Sequence, residues 1–347
     1  MRPVGIGFVG AGMIGQVAHL ANYVGLAGCR LVALADLRPE LGRMASARFG
    51  VPKLYETHRD LLADREVEAV VVVTRRSATG PVVLDALEAG RHVLSEKPMA
   101  HTVEQAIRLT EAARRRDLRY AVGFMKRHDA GAQSAKALLD ELRASGELGR
   151  ILLVRAWCYG GEFKADPSDY VMTSETRPDG LSTWPEAPDW LPPALVQDYA
   201  WFLNVFVHDL NILRYLTEIE PKVAAVDLAR RNGRVVTFDC GEFPAVLETA
   251  EIGSIEWQEG VEILFERGRL SVQFPSPLAR DVPARVELTR GRETTVIPVP
   301  KSWAFRRQAE AFVADIAAKR EPLASGRDGI GDLRLAEAIW SRHIGRG

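Results

Sequence analysis

The sequence predicts an α/β protein with two domains, the first built on a parallel sheet and the second on a large open, mostly antiparallel sheet. Two observations support this fold class. In the first part of the chain, apolar runs alternate with helical patterns, which is the order of right-handed βαβ units in one parallel sheet. After about residue 126, strand-like runs follow one another with polar turns between them, as in antiparallel hairpins. We therefore expect one domain over residues 1–126 and a second over 127–347.

The N-terminal domain is predicted to alternate strands and helices throughout. The strands are expected at residues 4–10, 29–36, 66–74, 91–96 and 119–124. The helices are expected at residues 13–24, 39–50, 80–90 and 103–116. The run EVEAVVVVT at 66–74 is almost unbroken apolar sequence, which is typical of a parallel strand covered on both faces. Thr102 and Gln105 form a capping box before the last of these helices.

The C-terminal domain is predicted to begin with a strand and to contain one unusually long loop. The strand is ILLVRAWCYG at 151–160, and a loop rich in Pro, Asp, Ser and Thr follows at 164–195. A structureless loop of this length is usually functional or mobile, so we expect a lid over the substrate or an arm to a neighbouring subunit. The remaining elements are expected as a helix at 198–216, hairpins between 222 and 300 with turns at RNGR, ERGR and TRGR, and helices at 303–319 and 330–343.

Composition and charge restrict the functional class. The formal net charge of −1 argues against a nucleic-acid surface, which needs a basic excess, and gives no reason to expect attraction to a membrane. The cysteines at 29, 158 and 240 form no C-x-x-C pair, so we expect neither a disulfide framework nor a zinc site. A reducing, cytoplasmic location fits this cysteine usage best. The N-terminus resembles a strand rather than a signal peptide, and no apolar run is long enough to span a bilayer.

A glycine pattern stands at the end of the first predicted strand. Gly10, Gly12 and Gly15 fit G-x-G-x-x-G, and Asp36 ends the second strand about 20 residues later. In a dinucleotide-binding unit the glycines permit a tight turn, close approach of the pyrophosphate and close packing of helix on strand, while the acidic residue bonds the ribose hydroxyls. The helix N-terminus offers free N–H groups to the phosphates. The alternative is a structural turn beside an ordinary surface Asp.

The carboxylate of Asp36 also bears on the choice of cofactor. It repels a 2′-phosphate, so NAD is favoured over NADP. Arg38 lies two residues further on and would partly offset this preference if it turned inward. The alternative for Arg38 is an exposed side chain at the start of a helix.

Lys97, in the stretch SEKPMAHT, follows the predicted strand 91–96. Ligands of open α/β sheets bind at the carboxyl ends of strands, so Lys97 is placed to face a nicotinamide. A lysine there can hydrogen-bond a substrate hydroxyl and share its proton as hydride leaves. Pro98 is expected to fix a tight turn, which can hold a cis bond. The alternative for this Lys-Pro pair is a surface loop.

These motifs together resemble the glucose–fructose oxidoreductase / inositol dehydrogenase (Gfo/Idh/MocA) family. The resemblance is carried by GFVGAGMIG at 7–15, Asp36, EKP at 96–98 and GELG at 146–149, and it covers nearly the whole chain. It implies a Rossmann domain followed by an α/β domain whose open sheet mediates a homodimer or homotetramer. It also implies hydride transfer at a carbinol carbon of a sugar, inositol or related compound, without a metal.

The family's second signature is an Asp followed four residues later by a His, on the first helix of the second domain. In FLNVFVHDL the His is His208, but Asn204 stands at the Asp position. The spacing of four puts both side chains on one helix face, whereas Asp209 points about 100° away. An Asn can only hydrogen-bond, so we expect His208 to be less basic and Lys97 to carry more of the proton transfer. The alternative for His208 is a structural histidine.

The resemblance and the residues lead to a set of candidate site residues. The catalytic candidates are Lys97, His208 and Asn204. The cofactor candidates are Gly10, Gly12, Met13, Ile14, Gly15, Asp36, Thr74, Glu96 and Lys97. The substrate candidates are Arg127, Trp184 and Trp190. The two tryptophans would stack on a sugar face or only anchor the loop, and Arg75 and Arg76 are at least as well explained as solvated side chains.

The resulting functional hypothesis is an NAD(P)-dependent dehydrogenase that acts on CH–OH groups of a sugar or polyol. A second hypothesis is a reductase that keeps its cofactor bound. A third is a non-catalytic dinucleotide-sensing or interaction protein. The Asn at position 204 supports the third, while the retention of Lys97 and His208 speaks against it.

Overall fold

The computed structural model describes residues 2–176, 178–230, 232–253 and 256–346, and the chain forms two compact units. The first unit consists of the chain up to Phe124, Ala165–Pro188 and Phe305–Ile330, and the second of Met125–Lys164, Asp189–Ala304 and the chain from Gly331 onward. Most of the loop predicted at 164–195 therefore belongs to the first unit. We call residues 165–188 the returning segment.

The first unit is built on a parallel sheet with the strand order β3-β2-β1-β4-β5-β6. Its strands are β1 (Val4–Val9), β2 (Cys29–Ala35), β3 (Lys53–Tyr55), β4 (Ala69–Val72), β5 (His92–Ser95) and β6 (Tyr120–Val122). β1 and β4 are buried along their whole length, as the unbroken apolar runs predict. This is the Rossmann order, so the predicted fold of the first domain is confirmed. The strand order reverses between β1 and β4, where ligands bind in such sheets.

The helices follow the predicted alternation, with three differences in the first unit. They are α1 (Ala21–Tyr23), α2 (Pro39–Phe49), α3 (His58–Ala63), α4 (Arg76–Glu88), α5 (Val103–Arg115), α6 (Ala130–Ser145), α7 (Val196–Thr217), α8 (Ala304–Ala318) and α9 (Gly326–His343). α3, like strand β3, was not predicted. The first predicted helix begins as a π-helical turn, Gly15–Leu20, before α1. α4 begins at Arg76, so Gly80 and Pro81 lie inside the helix instead of marking its start. Across the described ranges, none of these helices is long and apolar enough to cross a membrane.

The second unit is built on a sheet with the strand order β14-β13-β12-β11-β7-β10-β9-β8. Its strands are β7 (Ile151–Gly160), β8 (Lys222–Asp227), β9 (Gly233–Asp239), β10 (Pro244–Ala250), β11 (Gln258–Phe265), β12 (Gly268–Phe274), β13 (Arg285–Arg290) and β14 (Glu293–Ile297). β7 and β10 are parallel, and the other neighbouring pairs are antiparallel. The predicted large, mostly antiparallel sheet is therefore confirmed. The predicted turn at RNGR includes Arg231, which lies outside the described residues.

Two helices, α6 and α7, pack against one face of this second sheet. Along β7 the side chains alternate, with Val154, Ala156 and Cys158 buried on the helix-covered face. α6 was not predicted, although its ends carry ordinary signals. The carboxylate of Asp129 accepts hydrogen bonds from the first-turn amides of α6, and Gly146 ends the helix in the left-handed conformation with φ of 64°.

Candidate active site

The glycine turn follows β1 in the first unit, and each glycine has a steric reason. Gly10 has a φ of +98°, and a Cβ there would lie 2.1 Å from the carbonyl oxygen of Val73. A Cβ on Gly15 would lie 2.5 Å from the carbonyl oxygen of Gly10. A Cβ on Gly12, in contrast, would meet no atom within 4 Å. Gly10 and Gly15 are thus required by the protein itself, whereas Gly12 keeps open a space that a pyrophosphate can approach.

A cleft of about 300 Å³ runs along this turn. Its lining includes most of the predicted cofactor residues, namely Gly10, Gly12, Met13, Ile14, Gly15, Asp36 and Thr74. Further lining residues come from the ends of β2 and β4 and from the returning segment, among them Arg38, Arg75, Pro178 and Leu181. The cleft follows the carboxyl edge of the parallel sheet across its switch point, so its shape and position suit a dinucleotide.

Asp36 and Arg38 form a tight pair at one end of the cleft. The carboxylate of Asp36 accepts a hydrogen bond of 2.7 Å from the amide of Ala11 in the glycine turn. The guanidinium of Arg38 binds the same carboxylate through two hydrogen bonds of 2.9 and 3.0 Å. Arg38 therefore turns inward, which the sequence left open, and it neutralises the charge that was expected to repel a 2′-phosphate.

The π-helical turn is tied to the Glu-Lys-Pro motif by a buried pair. His19 lies 2.7 Å from the Glu96 carboxylate, and their side chains are 3% and 14% exposed. The second oxygen of Glu96 accepts a hydrogen bond of 3.2 Å from the amide of Lys97. Burial acts to raise the pKa of Glu96, but His19 and the ammonium of Lys97 outweigh it and hold that pKa below the usual value. Glu96 is thus a charged anchor inside the unit that orients the turn carrying Lys97.

The side chain of Lys97 is half-buried just beyond the end of β5, and its peptide bond to Pro98 is cis, as the sequence allowed. Asn204 and His208 both lie on α7 of the second unit, where His208 is buried and Asn204 is half-buried. The first unit therefore contains the glycine turn, Asp36, Glu96 and Lys97, of which the glycine turn and Asp36 line the cleft and Glu96 and Lys97 do not. The second unit contains Asn204 and His208.

The returning segment lies along the first unit through contacts at several points. The side-chain amide of Gln16 pairs with both backbone groups of Val171, at 2.8 and 3.0 Å. The carboxylate of Glu175 accepts hydrogen bonds from the amides of Glu40 and Leu41. The sequence predicted this stretch as a lid over the substrate or an arm to a neighbouring subunit. The contacts place Pro178 and Leu181 of the segment in the wall of the dinucleotide cleft.

The two loop tryptophans occupy different units. Trp184 packs against Gly80 of α4, where an added Cβ would lie 2.3 Å from the indole ring, and the guanidinium of Arg108 lies 5.3 Å from the ring centre. Trp190 belongs to the second unit, with the guanidinium of Arg346 5.4 Å from its ring centre. These contacts are those of an anchor for Trp184, one of the two uses that the sequence left open.

Arg127, the remaining substrate candidate, is buried in the second unit. Its Nε donates a hydrogen bond of 2.8 Å to the side chain of Asn211, and its guanidinium lies 5.2 Å from the ring centre of Tyr215. Asn211 in turn donates to Asp332 at 2.7 Å. Arg127 is therefore bonded to α7, and through Asn211 it is linked to Asp332 of α9 within this unit.

A buried ionisable cluster in the second unit was missed by the sequence reasoning. It consists of Lys126, Cys158, Asp209 and Glu259, all at most 5% exposed. The ammonium of Lys126 donates a hydrogen bond to Glu259, which also accepts one of 2.8 Å from the indole of Trp257. The ligating atoms of Cys158, Asp209 and Glu259 lie within 4.8 Å of one another. Spacing along the chain offered no signal, because the four side chains come from four different elements.

Burial and charge set the protonation of this cluster. Burial, followed by the charge of Glu259, raises the pKa of Asp209 well above its usual value. Burial likewise raises the pKa of the Cys158 thiol. Burial acts to lower the pKa of Lys126, but Glu259 and Asp209 outweigh it, so that pKa is raised. In this cluster burial thus favours the protonated forms of Asp209 and Cys158, while the neighbouring carboxyl groups favour the charged form of Lys126.

Comparison with known proteins relates this architecture to a family. A family model described as "Oxidoreductase family, NAD-binding Rossmann fold" (GFO_IDH_MocA) matches residues 4–124. An inositol 2-dehydrogenase from Gluconacetobacter diazotrophicus is 37% identical over 248 residues, which cover 71% of this chain and 64% of that protein. An inositol 2-dehydrogenase from Salmonella paratyphi B is 26% identical over 75% of this chain and 66% of that protein. The chain thus spans just under two thirds of the length of these relatives.

Among solved structures, a 3-ketoreductase from Actinomadura kijaniata in complex with NADP and TDP-benzene superimposes with a TM-score of 0.77. The match covers 97% of each chain at 20% sequence identity. At this identity the likeness concerns the fold, and it extends over both units of the chain.

Proposed function

The chain belongs to the Gfo/Idh/MocA family of oxidoreductases, and from this premise we propose that it transfers hydride between a carbinol carbon of a sugar, cyclitol or related polyol and a nicotinamide dinucleotide. The relatives support this substrate class, because two are inositol 2-dehydrogenases. We propose NAD as the preferred cofactor and NADP as the less favoured one, because Asp36 lines the cleft as the acidic residue after the second strand, which bonds the ribose hydroxyls of NAD.

One observation carries the proposal. The glycine turn after β1, Asp36 after β2 and Lys97 after β5 all lie at the carboxyl edge of one parallel sheet. The first two line a single cleft along the switch point, and Gly12 leaves its floor open. A sheet edge with an open glycine turn, an acidic residue and a lysine supports binding of a dinucleotide beside a group that can exchange a proton.

The protein's residues would divide the chemistry as follows. A bound nicotinamide supplies the acceptor or donor of hydride. Lys97 is proposed to bind the reacting hydroxyl and to exchange its proton, and His208 is proposed as a second group that can exchange a proton. Asn204 orients the imidazole or a neighbouring hydroxyl by hydrogen bonding. The pair of His19 and Glu96 holds the turn of Lys97 in place.

The test is to follow nicotinamide absorbance while the protein meets a panel of inositols, sugars and sugar acids, with NAD⁺ and NADP⁺ in parallel. We expect turnover with at least one polyol. Lys97→Ala should lower kcat by about 100-fold or more, because general acid–base groups contribute on this scale. Dinucleotide binding, measured by fluorescence titration with NADH, should remain within about threefold.

Lys301→Ala is the matched control, because this lysine is exposed in the loop before α8. It should leave kcat and dinucleotide binding unchanged. Retained turnover in Lys97→Ala with weakened NADH binding would assign Lys97 to cofactor binding and contradict the catalytic role.

A non-catalytic dinucleotide-binding protein is the second candidate function, and Asn204 is the observation that favours it. Where the family has a carboxylate to stabilise a charged imidazole, this chain has an amide. If wild-type protein binds NADH but turns over no member of the panel, and Asn204→Asp produces turnover, this second function is the better one. Turnover of any polyol by the wild-type protein would support the dehydrogenase and contradict the non-catalytic function.

We also propose that the second sheet mediates a homo-oligomer. One of its faces is covered by α6 and α7, while the other carries half-buried side chains such as Arg155, Trp157 and Tyr159 on β7. Arg155 forms two hydrogen bonds with Glu248 on this face. We expect a dimer or tetramer in light scattering after size-exclusion chromatography. A monomer at micromolar concentration would contradict the proposal.

A further inference from the structure

Glu175 of the returning segment occupies the N-terminus of α2. One carboxylate oxygen accepts a hydrogen bond of 3.0 Å from the amide of Glu40, and the other accepts one of 2.9 Å from the amide of Leu41. The hydroxyl of Thr173 donates a third, at 2.9 Å. Arg38, the N-cap residue of α2, makes no side-chain capping bond. A carboxylate from more than a hundred residues away thus satisfies amides that a local cap would otherwise serve.

This carboxylate is charged. Desolvation acts to raise the pKa of Glu175, but the bonds from the two α2 amides and Thr173, together with the charge of Arg38, outweigh it and hold the pKa below its usual value. A negative group at a helix N-terminus is stabilised by the helix dipole, in the way that a phosphate would be.

Glu175 binds the start of α2 directly beside Arg38, a residue that lines the cleft. α2 begins directly after Asp36 and Arg38, and both residues line the cleft together with Pro178 of the returning segment. In this fold class the ribose 2′-position is read by the acidic residue after the second strand, or by a nearby Arg when a 2′-phosphate is present. The two groups that could receive a 2′-phosphate are Arg38 and the first-turn amides of α2. Both already hold carboxylates, those of Asp36 and Glu175.

We propose that Glu175 is a cofactor-specificity residue, a built-in anion that fills the space beside Arg38 and excludes the 2′-phosphate of NADP(H). Asp36 alone does not account for selectivity, because Arg38 neutralises it through two hydrogen bonds. Glu175 restores an excess negative charge at this point. The inference rests on the proposed function, since it requires that the cleft take a dinucleotide.

The test is to titrate wild-type protein, Glu175→Gln and Glu175→Ala with NADH and NADPH by nicotinamide fluorescence, at one fixed ionic strength. Wild-type protein should bind NADH at least tenfold more tightly than NADPH. Glu175→Gln keeps an oxygen that can accept an amide hydrogen bond but loses the charge. It should improve NADPH binding by about tenfold relative to NADH, equivalent to about 1.4 kcal/mol. Glu175→Ala should improve NADPH binding relative to NADH by the same factor or by a larger one.

Asp179→Asn is the matched control. It removes one negative charge from the same segment, but this side chain is 97% exposed, and its ion pair with Arg75, at 3.6 Å, is screened by solvent. It should leave the NADPH-to-NADH ratio unchanged. A purely structural cap would weaken both dinucleotides equally in the Glu175 variants, which would overturn the proposal.

The outcomes separate this inference from the proposed function. If wild-type protein binds NADH and NADPH equally, or if Glu175→Gln leaves their ratio unchanged, the specificity role is overturned while dinucleotide binding stands. If wild-type protein binds neither dinucleotide, the proposed function fails and the inference fails with it. A ratio that shifts toward NADPH in both Glu175 variants, and not in Asp179→Asn, supports the inference.

Discussion

At the scale of single residues, the raised pKa of Asp209 in the buried cluster is the feature that could not be predicted from the sequence. Asp209 follows His208 directly, but on a helix the two side chains diverge by about 100°. Asp209 faces Glu259 and Lys126 within the second unit, and burial raises its pKa first, followed by Glu259. A neutral carboxyl group here is stabilised by its surroundings, whereas a charged one would add an unbalanced anion to a buried site.

The raised pKa makes a prediction about stability and pH. Between the ordinary pKa of Asp and the raised one, the folded state binds one more proton than the unfolded state, so this group's contribution to stability falls as pH rises above about 4. Asp209→Asn removes this dependence and keeps the shape of the neutral group. Relative to wild type, the free energy of unfolding of this variant should therefore rise with pH, by at most about 1.4 kcal/mol per pH unit, from about pH 4 towards the raised pKa of Asp209. Urea denaturation over a series of pH values measures this difference.

Lys126→Met tests the same cluster through its cation. It leaves Glu259 buried without its cation, and breaking a buried pair in this way destabilises by about 3–5 kcal/mol. Parallel pH profiles for wild type and Asp209→Asn would mean that the pKa of Asp209 is not raised in the folded protein, which contradicts this prediction.

Residue identities allowed part of the site to be predicted. Gly10, Gly12, Gly15 and Asp36 lie within a stretch whose spacing reports the local turn, and the structure places all four along one cleft. The orientation of the Arg38 side chain could not be predicted. It depends on whether the guanidinium finds a better hydrogen-bond partner inside the cleft, here Asp36, or in solvent.

At the scale of elements, α4 shows how a turn signal can be overridden. Gly80 and Pro81 predict a helix start, yet α4 runs through them from Arg76. Pro81 has no N–H to donate to the carbonyl of Ser77, four residues earlier. The backbone N–H of Trp184 donates to that carbonyl at 2.9 Å. The returning segment thus satisfies the acceptor that proline leaves open, and Gly80 provides the space for the indole.

Gly80→Ala tests this docking place. An added Cβ would lie 2.3 Å from the Trp184 ring, so the indole must move away from α4. In an open helix the same substitution would stabilise by about 1 kcal/mol. We expect instead a red shift of tryptophan emission and faster proteolytic cleavage within 165–188, with α4 intact by circular dichroism.

Gly233→Ala is the control for glycine replacement, because an added Cβ there meets nothing within 4 Å. It should leave the tryptophan emission wavelength and the rate of proteolytic cleavage within residues 165–188 unchanged. An unaltered cleavage rate in Gly80→Ala would show that the other contacts of the segment hold it without Trp184.

The sequence analysis omitted β3, α3 and α6, and α6 is the longest of the three. Its signals were present, with Asp129 at the N-cap and Gly146 beyond the last turn. They lie where the sequence changes from the pattern of a parallel sheet to that of an antiparallel sheet, and the strand patterns on either side are more regular. Helices and strands of regular pattern could therefore be predicted, whereas an element at a boundary between patterns was overlooked.

At the scale of the whole molecule, each compact unit is assembled from stretches far apart in sequence. The first domain was predicted as one continuous stretch, but residues 165–188 and 305–330 also belong to the first unit. Local pattern cannot reveal such returns, because the contacts that define them join residues more than a hundred positions apart. Charge and composition predicted the protein class. They carried no information about the substrate, which depends on side chains outside any motif.

The path of the returning segment has a consequence for how this protein can diversify. Many of its attachments use main-chain atoms of the segment: both groups of Val171, the N–H of Trp184, and the carbonyls of Ser168 and Pro185. Main-chain groups are the same for nearly every amino acid, so the backbone of the segment can keep its path when its side chains are replaced. Substitutions there can alter what the cleft accepts while the scaffold beneath is left untouched, which makes this stretch a natural place for new specificities to arise.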